Sequence, residues 1–325
     1  MTSKYQILSI LSRSDCAVSG EDMAKEIGIS RTAVWKAIQS LEKEGAVIEP
    51  LPQVGYRLIR LPSNLSEDSL RLLLQPLLQD LTIRVEKELP STNSLAKQIL
   101  ELDRPEHILV AAHKQTSGRG RLGRSFFSPT GGIYFSYGWK AHSDFTDHSL
   151  LTITVGLATC QALEELYGLD CRIKWVNDLQ LDGKKVAGIL TETTTNIETR
   201  TLDSIIFGIG INVLMPEGGF PEDIQDTAGS LFKELPEDFN YNIFLAKILE
   251  HFIDLYEHKR DRIIPGYRSR CSTVGQEISY SRKNQICRGK AVDIDEEGSL
   301  VIETEDNRIE HLRYGEVQIL KKEAR

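Results

Sequence analysis

Seven consecutive residues, Gly118-Arg119-Gly120-Arg121-Leu122-Gly123-Arg124, set three glycines and three arginines around one leucine. Glycine at every second or third position opposes helix and regular strand, because each adds backbone freedom that folding must remove. The segment is therefore predicted to be a mobile loop. Three guanidiniums on such a backbone form a fork-rich receptor for phosphate or carboxylate. The glycines let backbone N–H groups approach the same anion. No Lys-Ser or Lys-Thr pair follows, so this is not a Walker loop. The same composition also describes a solvated basic loop, and the surrounding chain has to decide.

Alternating apolar and charged residues over 81–89 predict a strand. Pro90-Ser91-Thr92-Asn93 then opens a helix. Capping alone is the commoner explanation of three polar side chains at such a junction, but one cap needs only one residue, and the set equally suits a small polar ligand. A strand over 107–116 delivers Gln115 to the loop, and a second over 133–139 follows it. The loop thus bridges two strands of one sheet, and a helix over 147–167 covers a face. A further strand, 172–178, ends in Asn177-Asp178, and Asp182-Gly183 makes a hairpin turn into the return strand 184–190. Adjacent strand residues face opposite ways, so only one of Lys184 and Lys185 enters a pocket, and periodicity does not say which. The last strand, 204–214, carries Gly208, Gly210 and Asn212, which allow close approach of a ligand.

The first sixty residues have a different character. Apolar residues at helical spacing over 4–13, a capped helix from Ser19 to Gly28 and a third helix from Ser30 towards Gly45 make a helix-turn-helix pattern. In the third helix Val34, Ala37, Ile38 and Leu41 face inward. Arg31, Thr32, Trp35, Lys36 and Gln39 face outward, with Ser30 at its start and Arg57 in the hairpin over 47–59. Such side chains reach phosphates and base edges when a helix enters the major groove. Three helices and a hairpin are also compatible with a small protein-interaction module. Residues 1–60 hold eight Lys/Arg against seven Asp/Glu. So nearly neutral a patch neutralises few phosphates, and operator binding is expected to need a dimer on a two-part site. Residues 62–66 read as a linker, after which a short helix runs from Ser66 through Leu74. An amphipathic helix spans 240–260, and short strands from residue 276 onward resemble a small SH3-like barrel.

The chain has 325 residues, 40% of them hydrophobic, enough for more than one domain. Its net charge of −8 opposes a protein that coats nucleic acid along its whole surface. Five scattered cysteines without a Cys-x-x-Cys pair point to free thiols in a reducing cytosol, and no apolar run is long enough for a membrane span. The expected location is the cytoplasm.

Ser91-Thr92-Asn93, Gln115, the Gly/Arg loop, Lys174-Trp175-x-Asn177-Asp178, Lys185-x-Ala187-Gly188-Ile189-Leu190 and Gly208-x-Gly210-Ile211-Asn212 occur in the order of the biotin–protein ligases. With the N-terminal winged helix, the whole chain resembles the bifunctional bacterial biotin–protein ligases that also repress the biotin operon. The resemblance implies an α+β chain. Its parts are a winged helix-turn-helix (1–61), a mixed-sheet ligase domain (67–270) and an SH3-like domain (271–325). It implies that biotin attacks ATP to give biotinyl-5′-AMP, and that a lysine of a biotin carboxyl carrier domain then takes the acyl group. Operator DNA, a ligand-promoted homodimer and Mg²⁺ belong to the same picture.

By resemblance, Lys185 and Arg121 are catalytic. Ser91, Thr92, Asn93, Gln115, Gly118, Arg119, Gly120, Arg121, Lys185 and Gly188 hold biotin. Arg121, Arg124, Phe126, Asn177, Lys185 and Asn212 hold the nucleotide. Asp178 is either a metal ligand or a structural turn residue. Trp139 and Trp175 are expected in the core. Two departures stand out: Val176 replaces a proline, which is expected to loosen that turn, and Phe126 replaces a Trp. Two rival readings are a regulator that only senses a small molecule and a lipoate-type ligase.

Overall fold

A computed structural model describes residues 2–103, 105–141, 148–195, 202–282 and 285–320. The chain is α+β, with a helical N-terminal module, a central mixed sheet and a small antiparallel C-terminal unit of the SH3-like kind.

The N-terminal module comprises α1 (Ser3–Ser12), α2 (Gly20–Ile27), α3 (Arg31–Lys43) and the hairpin β1 (Val47–Leu51) and β2 (Gly55–Arg60). Thr2, Ser19 and Ser30 cap the three helices with their side-chain oxygens. Gly28 closes α2 in the left-handed conformation, φ 78°. Ile7, Leu8, Leu11, Met23, Val34, Ile38 and Leu41 form one core.

The segment read as a linker is tied down. Buried Asn242 donates from Nδ2 to the carbonyls of Pro62 (2.9 Å) and Asn64 (2.8 Å), and its Oδ1 accepts from Ser66 N (2.9 Å). Asn240 Nδ2 also donates to Pro62 O, at 2.9 Å. Helix α4 (Glu67–Leu74) follows, capped by Ser66 and joined to α1 through Lys4–Asp68 (3.2 Å) and Thr2 Oγ1 to Asp68 (2.8 Å).

The central sheet has the order β3 (Leu81–Glu86), β4 (His107–Ala112), β5 (Ile133–Lys140), β9 (Leu202–Ile211), β8 (Lys184–Thr195), β7 (Asp178–Leu181), β6 (Arg172–Lys174). Only β3 and β4 run parallel. Strand alternation divides β4 between two cores. Ile108, Val110 and Ala112 meet α5 (Thr92–Leu102), whereas Leu109 and Ala111 join the main core with α6 (His148–Tyr167) and α7 (Tyr241–Ile253). Residue 147, where the expected helix begins, lies outside the described residues.

Three expectations are corrected. The strand over 172–178 is interrupted: β6 ends at Lys174, the chain turns through Trp175-Val176-Asn177 with a cis Trp175–Val176 peptide, and Asp178 opens β7. That turn is anchored, for Trp175 N donates to Thr273 Oγ1 (2.9 Å) and Tyr267 OH to Val176 O (3.2 Å). The helix over 240–260 is α-helical only to Ile253 and continues as a π-helical turn, Asp254–His258, and a further helix, α8 (Ile263–Arg270), packs into the main core through Ile263, Ile264 and Tyr267 despite Pro265 and Gly266. The sequence pattern marks C-terminal strands over 277–280, 291–294, 299–302 and 317–319, whereas the unit has five, in the order β13 (Ile309–Leu312), β12 (Leu300–Thr304), β11 (Gln285–Ile294), β10 (Glu277–Arg282), β14 (Val317–Ile319). Trp175 is buried, and Trp139 packs among Tyr137, Phe207, Phe252 and Tyr256.

Candidate functional site

One pocket gathers residues from six parts of the chain. The N-terminus of α5, the end of β4, the Gly/Arg loop, the β6–β7 turn, the facing strands β8 and β9, and Gly315-Glu316-Val317 all line it. Its floor is made by Gly188 and Leu190 on β8, paired across the ladder with Gly210 and Gly208 on β9. Glycine is required there. A Cβ on Gly208 would lie 1.9 Å from Asn93 Oδ1, and one on Gly210 would lie 2.4 Å from the Phe126 ring.

One end of the pocket is rich in directional hydrogen bonds. Ser91 caps α5, which releases Thr92 and Asn93 from that duty. Gln115 Oε1 accepts from Thr92 N (2.8 Å) and Thr92 Oγ1 (3.1 Å), while its Nε2 donates to Ser128 Oγ (3.0 Å). Ser136 Oγ lies 2.7 Å from Thr92 Oγ1 and 2.5 Å from Asn93 Oδ1. These amides and hydroxyls mix donors and acceptors, as a ligand carrying both N–H and C=O groups demands.

The other end is charged. Lys185 Nζ lies 2.6 Å from Asp178 Oδ1, whereas Lys184 turns away to the Asp226 carbonyl. A bulge between Leu179 and Gln180 offsets the register here. Arg124 meets Glu316 fork to fork, and Arg119 lies 3.5 Å from Glu192. Among the loop arginines only Arg121 meets a neutral partner, donating to Asn177 Oδ1 at 3.2 Å. Asn177 is itself fixed, its Nδ2 donating to Ile189 O at 3.0 Å. Burial pulls the Arg121 guanidinium below its ordinary value, and Asp178, Glu316 and Tyr267 act in the opposite direction. It stays a cation near neutral pH. A half-buried cation held by an amide is well placed to receive an anion.

The loop has its own backbone order. Phe126 N donates to Gly118 O (2.8 Å), Gly120 N to Arg124 O (2.7 Å), and Leu122 has φ 56°. The Phe126 ring lies over the glycine floor, 5.8 Å from Lys185 Nζ.

Most of the residues singled out in the sequence line this pocket, namely Ser91, Thr92, Asn93, Gln115, Arg119, Gly120, Arg121, Arg124, Phe126, Asn177, Asp178, Lys185 and Gly188. Two do not. Gly118 sits behind the wall against Ser128 and Phe126 O, and Asn212 gives its side-chain N–H to Gly229 O at 2.9 Å. Sequence reasoning missed Ser136, Glu192 and Glu316. Ser136 and Glu192 follow from strand alternation once their strands are aligned, but Glu316 has no local signal. Among the described residues no group of three or more His, Cys, Asp and Glu forms a metal cluster. Asp178 and Glu316 are the carboxylates lining the charged end. That donor set suits a Mg²⁺ ion carried by a triphosphate, which needs one or two carboxylates, not an all-protein cage.

At the other end of the molecule, Arg31, Thr32, Trp35, Lys36 and Gln39 are all exposed on one face of α3. Ser30 caps the helix, accepting from Ala33 N at 3.2 Å. Arg31 lies 3.6 Å from Glu21, and Arg57 in the wing pairs with Glu49 at 2.6 Å. No helix among the described residues is long and apolar enough to cross a membrane. All five cysteines are free thiols, with Cys160, Cys171 and Cys271 buried.

Residues 85–212 match the biotin/lipoate A/B protein ligase family, residues 4–57 an HTH domain and residues 273–320 the biotin protein ligase C-terminal domain. The bifunctional ligase/repressor BirA of Bacillus subtilis is 35% identical over 298 residues, covering 89% of this chain and 90% of that protein. The Escherichia coli protein of the same name is 28% identical over 93% of this chain and 92% of its own length. A solved structure of the Aquifex aeolicus biotin protein ligase in complex with biotin and ATP superposes with a TM-score of 0.61. It has 29% identity and covers 75% of this chain and 100% of that one.

Proposed function

This chain belongs to the family of bifunctional biotin ligase/repressors, and from that premise we propose how its residues divide the work. It ligates biotin to a carrier-protein lysine at the expense of ATP, and it represses transcription through its N-terminal module. The observation that carries the site assignment is the division of a single pocket into a hydrogen-bonding end and a cationic end.

Biotin has a ureido ring that needs both donors and acceptors, and a carboxylate tail. Thr92, Asn93 and Gln115 serve the ring, and the tail reaches towards Arg121 and Lys185. ATP is held by Arg121, Arg124 and Asn177, with Phe126 free to stack against the adenine. Carboxylate and triphosphate repel one another, so their approach must be offset by fixed positive charge. The carboxylate oxygen attacks the α-phosphorus, forming a C–O–P anhydride and releasing pyrophosphate. Lys185 and Arg121 stabilise the charge that accumulates on the phosphoryl oxygens. The carrier lysine then attacks the acyl carbon as a free amine, an amide forms, AMP leaves and one proton is released. Mg²⁺, held by Asp178, supplies neutralising charge to the phosphates when bound.

Each of these cations except Arg121 rests on a carboxylate in this structure. An incoming anion therefore exchanges one partner for another. Ligand binding shifts a conformational balance only through unequal affinity for its two states. The adenylate takes Arg124 from Glu316, orders residues 117–128 around itself and so favours the homodimer that binds operator DNA. Incubation with Mg-ATP, labelled biotin or lipoate, and a biotin carboxyl carrier domain tests the ligase assignment. Labelled biotinyl-5′-AMP without the carrier, and transfer of biotin but not lipoate with it, are expected. Absence of any biotin adenylate contradicts the assignment.

A further inference from the structure

Glu192 lies on β8, two residues beyond Leu190 and four beyond Gly188, so strand alternation brings it to the same face as the pocket floor. Its two carboxylate oxygens reach in different directions. Oε2 accepts from Asn93 Nδ2 at 2.7 Å, and Oε1 lies 3.5 Å from Arg119 Nη2. It thereby touches both the α5 junction and the Gly/Arg loop.

The contact with Asn93 fixes the polarity of an amide. Asn93 is buried, with Nδ2 engaged by Glu192 and by Leu190 O at 3.4 Å, and Oδ1 beside Ser136 Oγ at 2.5 Å. A carboxylate accepts only, so it admits the Nδ2 end of the amide and rejects the Oδ1 end. The amide oxygen therefore stays over Gly208, where the missing side chain leaves room for it. The contact with Arg119 works on the loop. Arg119 is about half exposed, with 56% of its side chain accessible, so screening by solvent keeps that ion pair weak. The buried amide contact is the stronger of the two.

On the ligase reading given above, we propose that Glu192 is a positioning residue for biotin. It presents the Asn93 carbonyl oxygen as an acceptor at the ureido end of the pocket and draws Arg119, and with it the loop, over that end. It touches neither ATP nor the reacting atoms.

The test compares Glu192→Gln, Glu192→Ala, Arg119→Ala and Glu192→Ala/Arg119→Ala, measuring biotin affinity by calorimetry and the KM values for biotin and ATP in adenylate formation. Removal of a charged hydrogen-bond partner from a buried amide is worth about ten- to a hundredfold. Biotin affinity of Glu192→Ala is expected to fall by at least about tenfold, in line with that range. Glu192→Gln, which retains one acceptor oxygen, is expected to recover most of the loss. Removing Arg119 in the Glu192→Ala background adds less than removing it from the parent, because the loop contact is already gone. The KM for ATP stays at the parental value throughout. Parental biotin affinity in a folded Glu192→Ala protein overturns the inference, and so does an equal rise in both KM values. A parental protein that binds no biotin overturns the ligase reading instead.

Discussion

The two regions proposed to bind anions, the α3 face and the pocket, hold their charges in opposite ways. The α3 face is open, with Arg31 76% accessible at its side chain and Trp35 50% exposed, and Arg31 and the wing's Arg57 sit in ion pairs open to solvent. The pocket gathers Arg119, Arg121, Arg124, Lys174 and Lys185 around one cavity and half-buries several of them. A unit charge pair at 4 Å is worth about 1 kcal/mol in water and about 4 kcal/mol at the effective dielectric of a protein surface. Placement thus matters more than number. On this reading the pocket acts on a single ligand, whereas the open face is expected to need a second copy to accumulate comparable strength.

The contrast is sharpest for Lys185 and Lys36. Lys185→Ala is expected to slow biotinyl-5′-AMP formation by about a hundred- to a thousandfold, the usual loss for one preorganised charge-stabilising group. Its ligand-free operator binding should match the parent. Lys36→Ala should do the reverse, lowering operator affinity with adenylate formation intact. Parallel rapid-quench and DNA-binding measurements check both, and a variant that damages both activities equally would erase the distinction.

Ionic strength separates the regions next. With Arg31, Lys36 and Arg57 as the phosphate contacts of one copy, half-site affinity should fall about fortyfold between 50 and 200 mM salt. Adenylate formation should change far less, since half-buried charges are screened less than exposed ones. A titration of both activities in potassium chloride reads the difference.

Asn242 ties the segment 62–66, which lies between the two regions in the chain, to α7, and its removal should loosen that tie. Asn242→Ala leaves Ser66 N and the carbonyls of Pro62 and Asn64 without these partners in a buried setting. A cost of about 1–3 kcal/mol is expected, seen as a lower Tm and faster amide exchange at Ser66. Unchanged exchange there would show that the linker is held by something else.

The smallest effect belongs to His113, just beyond β4. Burial is the main cause of its lowered pKa, Lys87 adds to it, and a hydrogen bond to the Leu65 backbone opposes them. The folded state therefore binds this proton less readily than the unfolded chain. Its contribution to stability is complete above the ordinary histidine value of about 6.5 and is lost as pH falls through the lower folded value. Denaturant titrations between pH 7.5 and 5 should show that loss, and His113→Gln should flatten it.

Much of this arrangement was legible in the sequence because it depends on local signals. Caps at Ser19, Ser30 and Ser66, the Asp182-Gly183 turn and the outward face of α3 each follow from residues a few positions apart. What escaped depends on distance or on broken regularity. Arg124 and Glu316 are 192 positions apart, and nothing near either announces the other. The choice between Lys184 and Lys185 turns on a bulge, which periodicity does not register. The break in the 172–178 strand and the extra helix over Pro265-Gly266 arise from contacts with Tyr267 and the C-terminal unit.

Arg121 offers the most direct test of the central claim, that fixed positive charge in this pocket draws two anions together and joins them. The measurement is the single-turnover rate of biotin-dependent pyrophosphate release by Arg121→Ala, with saturating Mg-ATP and biotin. A drop of about a hundredfold or more is expected, with the melting temperature and operator binding of the ligand-free protein unchanged. Release of pyrophosphate at the parental rate would contradict it.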